Sequence, residues 1–157
     1  MRVLIVLALV GCEESATAKG NTPKAEDFAG REGMVYTYAV TPETDTTFLL
    51  LAITADSWEF RTGTDWDEAV SAGLYQVVVD GSLVVDTIEL LPGTFSAGDP
   101  YEGYYGEYAD TASNTVGEGT FAGNWIFARD LGPVHLALNG VEEEMVMYQD
   151  GLLDTGG

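Results

Sequence analysis

The chain has 157 residues, and its acidic side chains outnumber the basic ones by 26 to 6, which gives a formal net charge of −20. Nucleic-acid binding depends on clusters of Lys and Arg that neutralise phosphates, so this balance excludes a nucleic-acid partner. The length is that of one ordinary domain with a sizeable core, and a single cysteine excludes an internal disulfide.

Residues 1–12 have the pattern of an export signal. Arg2 supplies a positive charge, residues 3–10 are apolar without interruption, and the only cysteine, Cys12, follows Gly11. An apolar run this short falls well below the roughly 20 residues that span a bilayer, so no transmembrane helix is expected. Small and polar residues occupy positions 13–23, which is typical of a tether and not of a strand that continues into a core.

The segment Leu9-Val10-Gly11-Cys12 resembles the lipobox of bacterial lipoproteins. In that family the signal peptide is removed before the cysteine, and lipid is attached to the sulfur and the amino group. The resemblance implies a signal peptide over residues 1–11, lipidation of Cys12 and an acylated, flexible tether over residues 12–33. Several acyl chains hold a protein on a membrane, so it also implies an extracytoplasmic protein anchored to the inner or outer membrane of a bacterial envelope.

The first half of the remaining chain has the pattern of strands joined by tight turns. β-Branched, aromatic and alternating apolar residues predict strands at residues 34–40, 47–54, 58–62, 74–79 and 83–88. Thr64 or Asp65 can cap a helix of two turns at most, with Gly73 at its carboxyl end. Asp80-Gly81 lies between two apolar runs and predicts a hairpin with a type I′ turn.

The second half continues the same pattern. It predicts strands at residues 101–108, 115–121, 124–129, 134–138 and 141–148, with Asn139-Gly140 as a second type I′ turn. Short strands at regular spacing predict one all-β domain over residues 34–149, either an antiparallel β-sandwich or a curved sheet that closes toward a barrel. Residues 150–157 are predicted to be a disordered tail.

Four short motifs recur in this order in a group of β-rich domains of bacterial envelope lipoproteins. They are Tyr36-Thr37-Tyr38, Leu90-Leu91-Pro92 followed by Gly98-Asp99, Gly119-Thr120-Phe121, and Gly132-Pro133-Val134. The chain resembles that group over residues 28–148, although Tyr36 stands where the group has tryptophan and Leu131-Gly132-Pro133 lacks the group's first glycine. The group has no catalytic residues to transfer, so the resemblance implies a fold and a location only.

The sequence offers few catalytic or metal-binding candidates. His135 is the only histidine, no Gly-x-Ser-x-Gly elbow accompanies it, and we interpret it as structural. One histidine without a free cysteine excludes a typical zinc site, and no Asp-x-Asp-x-Asp-Gly calcium loop is present. The acidic clusters at residues 65–68 and 142–144 are explained by a helix start and by a solvated edge strand. We therefore predict no enzyme activity, no cofactor and no metal.

Aromatic side chains are the candidate ligand contacts. Together they could form a platform for a sugar or another flat apolar ligand, and the alternative is that they are ordinary half-buried sheet residues. These candidates are Trp58, Tyr101, Tyr104, Tyr105, Tyr108 and Trp125.

These patterns favour a non-catalytic, membrane-anchored protein that acts as a binding or structural component of the envelope. Its partner would be an envelope protein or a hydrophobic or sugar ligand. The alternative is a carrier that holds a lipid or another hydrophobic ligand against a concave sheet face that includes residues 48–53. A weaker alternative is a carbohydrate-binding or carbohydrate-active protein, and its enzymatic form needs two carboxylates facing each other across a cleft.

Overall fold

The structure is a computed structural model that describes residues 24–93, 95, 97–104 and 106–152. Strands dominate this part of the chain, and its only helical elements are the 3-10 helices Ala25–Phe28 and Trp66–Glu68. The thirteen strands are β1 Met34–Ala39, β2 Phe48–Ile53, β3 Ser57–Gly63, β4 Val70–Val79, β5 Leu83–Val85, β6 Ile88–Leu91, β7 Ala97–Gly98, β8 Tyr101–Gly103, β9 Gly106–Tyr108, β10 Thr111–Val116, β11 Gly123–Ala128, β12 Gly132–Leu138 and β13 Val141–Leu152.

Eleven strands form one sheet in the order β6-β5-β4-β3-β2-β1-β13-β12-β11-β10-β7. Strands β1 to β6 are a meander in which each strand pairs with the next, and β10 to β13 are a second one. The two meanders join where β1 pairs with β13 in antiparallel fashion. Strands β8 and β9 form a separate hairpin.

The sheet curves until β6 and β10 meet. There the side-chain amide of Asn114 in β10 donates a hydrogen bond of 2.9 Å to the Leu90 carbonyl oxygen in β6. Ten antiparallel strands thus close almost completely into a barrel. The expectation of an all-β protein with a curved, partly closed sheet is confirmed, and the barrel is the form that it takes.

Aromatic side chains fill the interior of the barrel. Trp58 and Trp125 stack with their ring centroids 6.2 Å apart, and Phe121 meets Trp125 edge-on at 5.9 Å. The indole nitrogen of Trp125 donates a 2.9 Å hydrogen bond to the Phe121 carbonyl oxygen. Large buried aromatic rings contribute most of the packing energy of such a core.

Strand β2 is apolar throughout because both of its faces are covered. One set of its side chains packs in the main core, and the other set belongs to a smaller outer cluster, over which Trp66 lies. The Arg61 guanidinium lies 4.0 Å from the centroid of the Trp66 ring. The core set is Leu49, Leu51 and Ile53, and the outer cluster contains Leu50, Ala52 and Val35.

The helix predicted after Asp65 is wrong in extent. A single 3-10 turn, Trp66–Glu68, takes its place, and β4 begins at Val70. Gly73, expected at the end of the helix, lies inside β4 at a β-bulge with φ +145°. A Cβ atom there would come within 2.5 Å of the Tyr75 hydroxyl, so the glycine allows the bulge and the close approach of Tyr75.

The turns agree with the sequence in part. Asn139 and Gly140 have φ of 53° and 84° between the paired residues Leu138 and Val141, so this type I′ turn is confirmed. The hairpin at Asp80-Gly81 is confirmed, but residues 80–82 form its turn and only Gly81 has a positive φ.

Three predicted strands are divided or shortened in the structure. The strand expected over residues 83–88 breaks at residues 86–87, which turn the chain from β5 into β6. The strand expected over residues 101–108 is the β8–β9 hairpin, and the one expected over residues 115–121 ends at Val116. Glycines lie at the second and third of these bends, whereas Asp86 and Thr87 form the first with a positive φ at both residues.

The described domain begins before the predicted boundary at residue 34. Ala25 and Phe28 are completely buried, so this part of the predicted tether packs in the main core. The Phe28 ring meets Phe95 edge-on at 5.5 Å. At the other end β13 continues to Leu152, so residues 150–152 of the predicted tail are strand.

The predictions for residues 1–23, including the signal peptide and Cys12, lie outside the described residues, as do residues 153–157 of the tail. Within the part that the structure covers, we find no helix with the length and apolar character that a membrane crossing requires.

Candidate functional site

An open groove of about 600 Å³ lies on the outer face of strands β10 to β13. Successive side chains of a strand point to opposite faces, so every second residue of these strands faces outward into the groove. Asn114 and Trp125, which lie between outward-facing residues, also line it. The β8–β9 hairpin supplies one wall through Tyr101. The outward-facing lining residues are Ser113, Thr115, Asn124, Ile126, His135 and Glu142.

The register of the four strands aligns a row of residues across this face. Ser113 is paired with Ile126, Ile126 with His135, and His135 with Glu144. Directly paired residues have Cβ atoms about 4.5–5.5 Å apart, so each side chain in the row can contact the next. The turn at Asn139-Gly140 sets the last of these pairings.

His135 and Glu142 form the polar centre of the groove. The imidazole Nε2 lies 3.3 Å from Oε1 of Glu142, whose Oε2 accepts a 2.8 Å hydrogen bond from the Asn124 backbone amide. The hydrogen bond from the Asn124 amide lowers the pKa of Glu142, and His135 lowers it further. Slight desolvation opposes these two effects. This side chain is therefore a carboxylate at neutral pH. Nδ1 of His135 is buried and has no hydrogen-bond partner among the described residues.

Two contacts hold Tyr101 against the sheet, and a third holds it within its own hairpin. Its hydroxyl donates a 2.9 Å hydrogen bond to Oε2 of Glu144. Its ring stacks on Tyr108 at 6.4 Å with 15° between the planes, and it meets the His135 ring edge-on at 6.3 Å. Burial and the hydrogen bond to Glu144 raise the pKa of Tyr101, so its phenol stays protonated.

The rest of the polar lining is uncharged. The Thr115 hydroxyl donates to Oδ1 of Asn124 at 3.0 Å, and Ser113 is exposed beside them. Among the described residues that line the groove, none is Lys or Arg. The described part of the chain holds no group of three or more His, Cys, Asp or Glu side chains that could coordinate a metal ion.

The structure divides the candidate aromatic contacts into two sets. Tyr101 lines the groove and stacks on Tyr108, and Tyr104 is 43% exposed in the turn of the same hairpin. Trp58 and Trp125 occupy inward positions of β3 and β11 and are 1% and 0% exposed. Their rings are almost fully covered, but Trp125 is among the residues that line the groove, so contact of these two side chains with a ligand stays a prediction. Tyr105 lies outside the described residues.

The sequence interpretation missed the carboxylates of the site. We expected residues 142–144 on a solvated edge strand, but β13 pairs with β1 on one side and with β12 on the other. A signal for the cluster was present, since a two-residue turn at Asn139-Gly140 places His135 opposite Glu144. No comparable pattern in the sequence places Tyr101 beside these carboxylates, because Tyr101 lies in a separate hairpin.

Comparison of the chain with protein-family models, with curated proteins and with solved structures gives no significant match. The fold and the groove define a nearly closed antiparallel barrel with a site on its outer face.

Proposed function

We propose that the chain is a lipid-anchored, extracytoplasmic protein of the bacterial envelope whose barrel binds a ligand in its outer groove without catalysis. The groove of about 600 Å³ carries the binding part of this proposal, because sites for small ligands are concave and have a few placed polar groups. The lipobox-like segment ending in Cys12 supports the anchor and the location.

The construction of the groove supports binding. Its floor consists of hydrogen-bonded strands, and its Tyr101 wall is fixed through Glu144. A site that is ordered before the ligand arrives loses less conformational entropy on binding. A catalytic serine and its histidine base need to lie within hydrogen-bond distance of each other. In the cross-strand row Ile126 separates Ser113 from His135, so these two side chains do not form such a pair.

The packed interior argues against the carrier alternative. A carrier needs an enclosed apolar cavity, whereas the inward residues of β2 pack in the main core with Trp58, Phe60 and Trp125. The outer groove, by contrast, has a mixed polar and aromatic lining. These features support a ligand on the outer face of the barrel.

The anchor can be tested by metabolic labelling. The full chain, expressed in a bacterium that processes lipoproteins, should incorporate labelled palmitate and sediment with the membranes. The variant Cys12→Ser should remain unlabelled and appear in the soluble fraction. An unlabelled wild-type chain, or a Cys12→Ser variant that still takes up label, would contradict the anchor.

Occupancy of the groove can be tested without knowing the ligand. Carbene footprinting of the full chain in unwashed envelope membranes should label Tyr101, Ile126 and His135 less than in the purified protein. Leu74, which is 66% exposed on β4 and away from the groove, is the control and should be labelled equally in both samples. Equal labelling of the groove residues in both samples would contradict the binding function.

A further inference from the structure

The polar lining of the groove mixes hydrogen-bond donors and acceptors at short spacing. Ser113 and Thr115 contribute hydroxyl groups that do both, Asn124 contributes an amide that does both, and Glu142 contributes an acceptor. An organic cation offers only donors, and an anion such as a phosphate offers mainly acceptors. A ligand with many hydroxyl groups offers both at each position, so it matches this lining best.

The groove also offers apolar surface on two sides. Ile126 lies in the floor between Ser113 and His135, and the Tyr101 ring forms a wall. The stack on Tyr108 and the bond to Glu144 hold that ring in place. A pyranose ring has C–H groups that need such apolar contact while its hydroxyl groups need polar contact. A fixed aromatic ring provides the apolar contact at little cost in conformational entropy.

The charge of the groove further restricts the class of ligand that it can bind. The chain carries a formal charge of −20, Glu142 is ionised, and the described lining residues include neither Lys nor Arg. An anionic sugar or a phosphorylated ligand would be repelled here. We infer that the groove binds a short segment of an uncharged oligosaccharide, with Tyr101 against the sugar ring and with Glu142 and Asn124 on its hydroxyl groups. This inference rests on the proposed binding function.

Isothermal titration calorimetry on the full chain in detergent tests the inference with defined probes. The probes are neutral trisaccharides of glucose, galactose, mannose and N-acetylglucosamine, and the anionic control is trigalacturonate. At least one neutral trisaccharide should bind with a dissociation constant below about 1 mM, and trigalacturonate should bind at least about tenfold more weakly. Failure of every neutral trisaccharide to bind, or equal binding of trigalacturonate, would overturn the inference.

Variants locate the binding in the groove. Tyr101→Ala and Glu142→Gln should each weaken binding of the neutral trisaccharide about tenfold, because one removes the ring and the other the charged acceptor. Tyr101→Phe keeps the ring but loses its bond to Glu144, so it should weaken binding less than Tyr101→Ala does. Glu43→Gln removes an exposed carboxylate from the β1–β2 loop and should change nothing. Tyr101→Ala can also loosen the hairpin, whereas Glu142→Gln leaves the hairpin contacts intact. Unchanged affinity in both variants would overturn the inference.

The two proposals fail in different ways. Groove residues that are protected in envelope membranes, together with no binding of any neutral trisaccharide, would remove the sugar and leave the binding function. Equal labelling in both samples together with no trisaccharide binding would remove both.

Discussion

The Tyr101 hydroxyl donates a 2.9 Å hydrogen bond to Oε2 of Glu144 and so joins two residues that lie 43 positions apart in the chain. Tyr101 belongs to the β8–β9 hairpin, which is separate from the main sheet, whereas Glu144 lies within that sheet in β13. The contact therefore places the hairpin beside the row that contains His135, and it gives the groove its aromatic wall.

Replacing the tyrosine by phenylalanine isolates this hydrogen bond. Tyr101→Phe removes a donor to a carboxylate while keeping the ring and its stack on Tyr108, so the free energy of unfolding should fall by about 1 kcal/mol. Amide hydrogen exchange over residues 101–108 should accelerate because the hairpin is held less firmly. Chemical denaturation and exchange measured by mass spectrometry are the two readouts. Tyr108→Phe leaves the bond to Glu144 intact and should affect exchange less, and the reverse order would contradict the assignment.

A second prediction concerns the closure of the barrel. Asn114→Ala removes the donor to the Leu90 carbonyl, and Leu90 is fully buried. A buried acceptor that loses its partner costs about 1–3 kcal/mol, so the free energy of unfolding should fall by about that amount. Exchange of the β6 and β10 amides should rise together. Ser113→Ala, at the exposed neighbouring position, should stay within about 0.5 kcal/mol of the wild type.

Glu143 gives the barrel a pH dependence. Burial first and then the nearby Asp45 carboxylate raise the pKa of Glu143 from 4.5 to about 7. The folded chain therefore binds this proton more tightly than the unfolded chain does. It follows that the stabilising contribution is complete below pH 4.5 and is lost as the pH rises to about 7. Because the group is partly solvated, the loss should amount to about 1–2 kcal/mol.

Glu143→Gln should remove that dependence, since the glutamine side chain resembles the protonated acid. Urea denaturation between pH 4 and pH 8 should show the variant gaining stability relative to the wild type as the pH rises, by about 1–2 kcal/mol in total. Glu43→Gln in the same loop as Asp45 is the control, and its difference from the wild type should vary much less with pH. A constant difference for Glu143→Gln would show that the pKa of Glu143 is the same in the folded and the unfolded chain, which would contradict this prediction.

The sequence predicts most of the strands because period-two patterns and tight turns are local. The turn at Asn139-Gly140 even sets the register that places His135 opposite Glu144. The choice between a sandwich and a barrel is not local, since it depends on Asn114 reaching Leu90 from a different part of the chain. The sequence pattern does not predict the burial of Phe28 for the same reason, because its partners in the core are distant in sequence.

Local competition explains the helix that did not form. The acidic residues after Asp65 favour the start of a helix, and they do form one turn. The next segment, Val70–Val79, is rich in valine and pairs with β3 over most of its length. Pairing in the sheet outweighs the modest capping preference at this point, and Gly73 serves the bulge.

The turn between β5 and β6 contains a residue that is unfavourable for its own backbone. Asp86 and Thr87 have φ of 50° and 70° between the paired residues Val85 and Ile88. Aspartate tolerates this region, whereas a β-branched threonine is strained in it. Thr87 is exposed, so its side chain contributes little packing there. Glycine adopts a positive φ freely, although it gains more entropy in the unfolded chain.

Relief of that strain should exceed the entropic cost. Thr87→Gly should raise the free energy of unfolding by about 0.5–1 kcal/mol, as measured by chemical denaturation. Asp86→Gly is the matched control, and it should gain less because aspartate is already tolerated at a positive φ. A loss of stability in Thr87→Gly, or a larger gain in Asp86→Gly, would show that the threonine is not strained. In that case the turn would owe its shape to the pairing of Val85 with Ile88 alone.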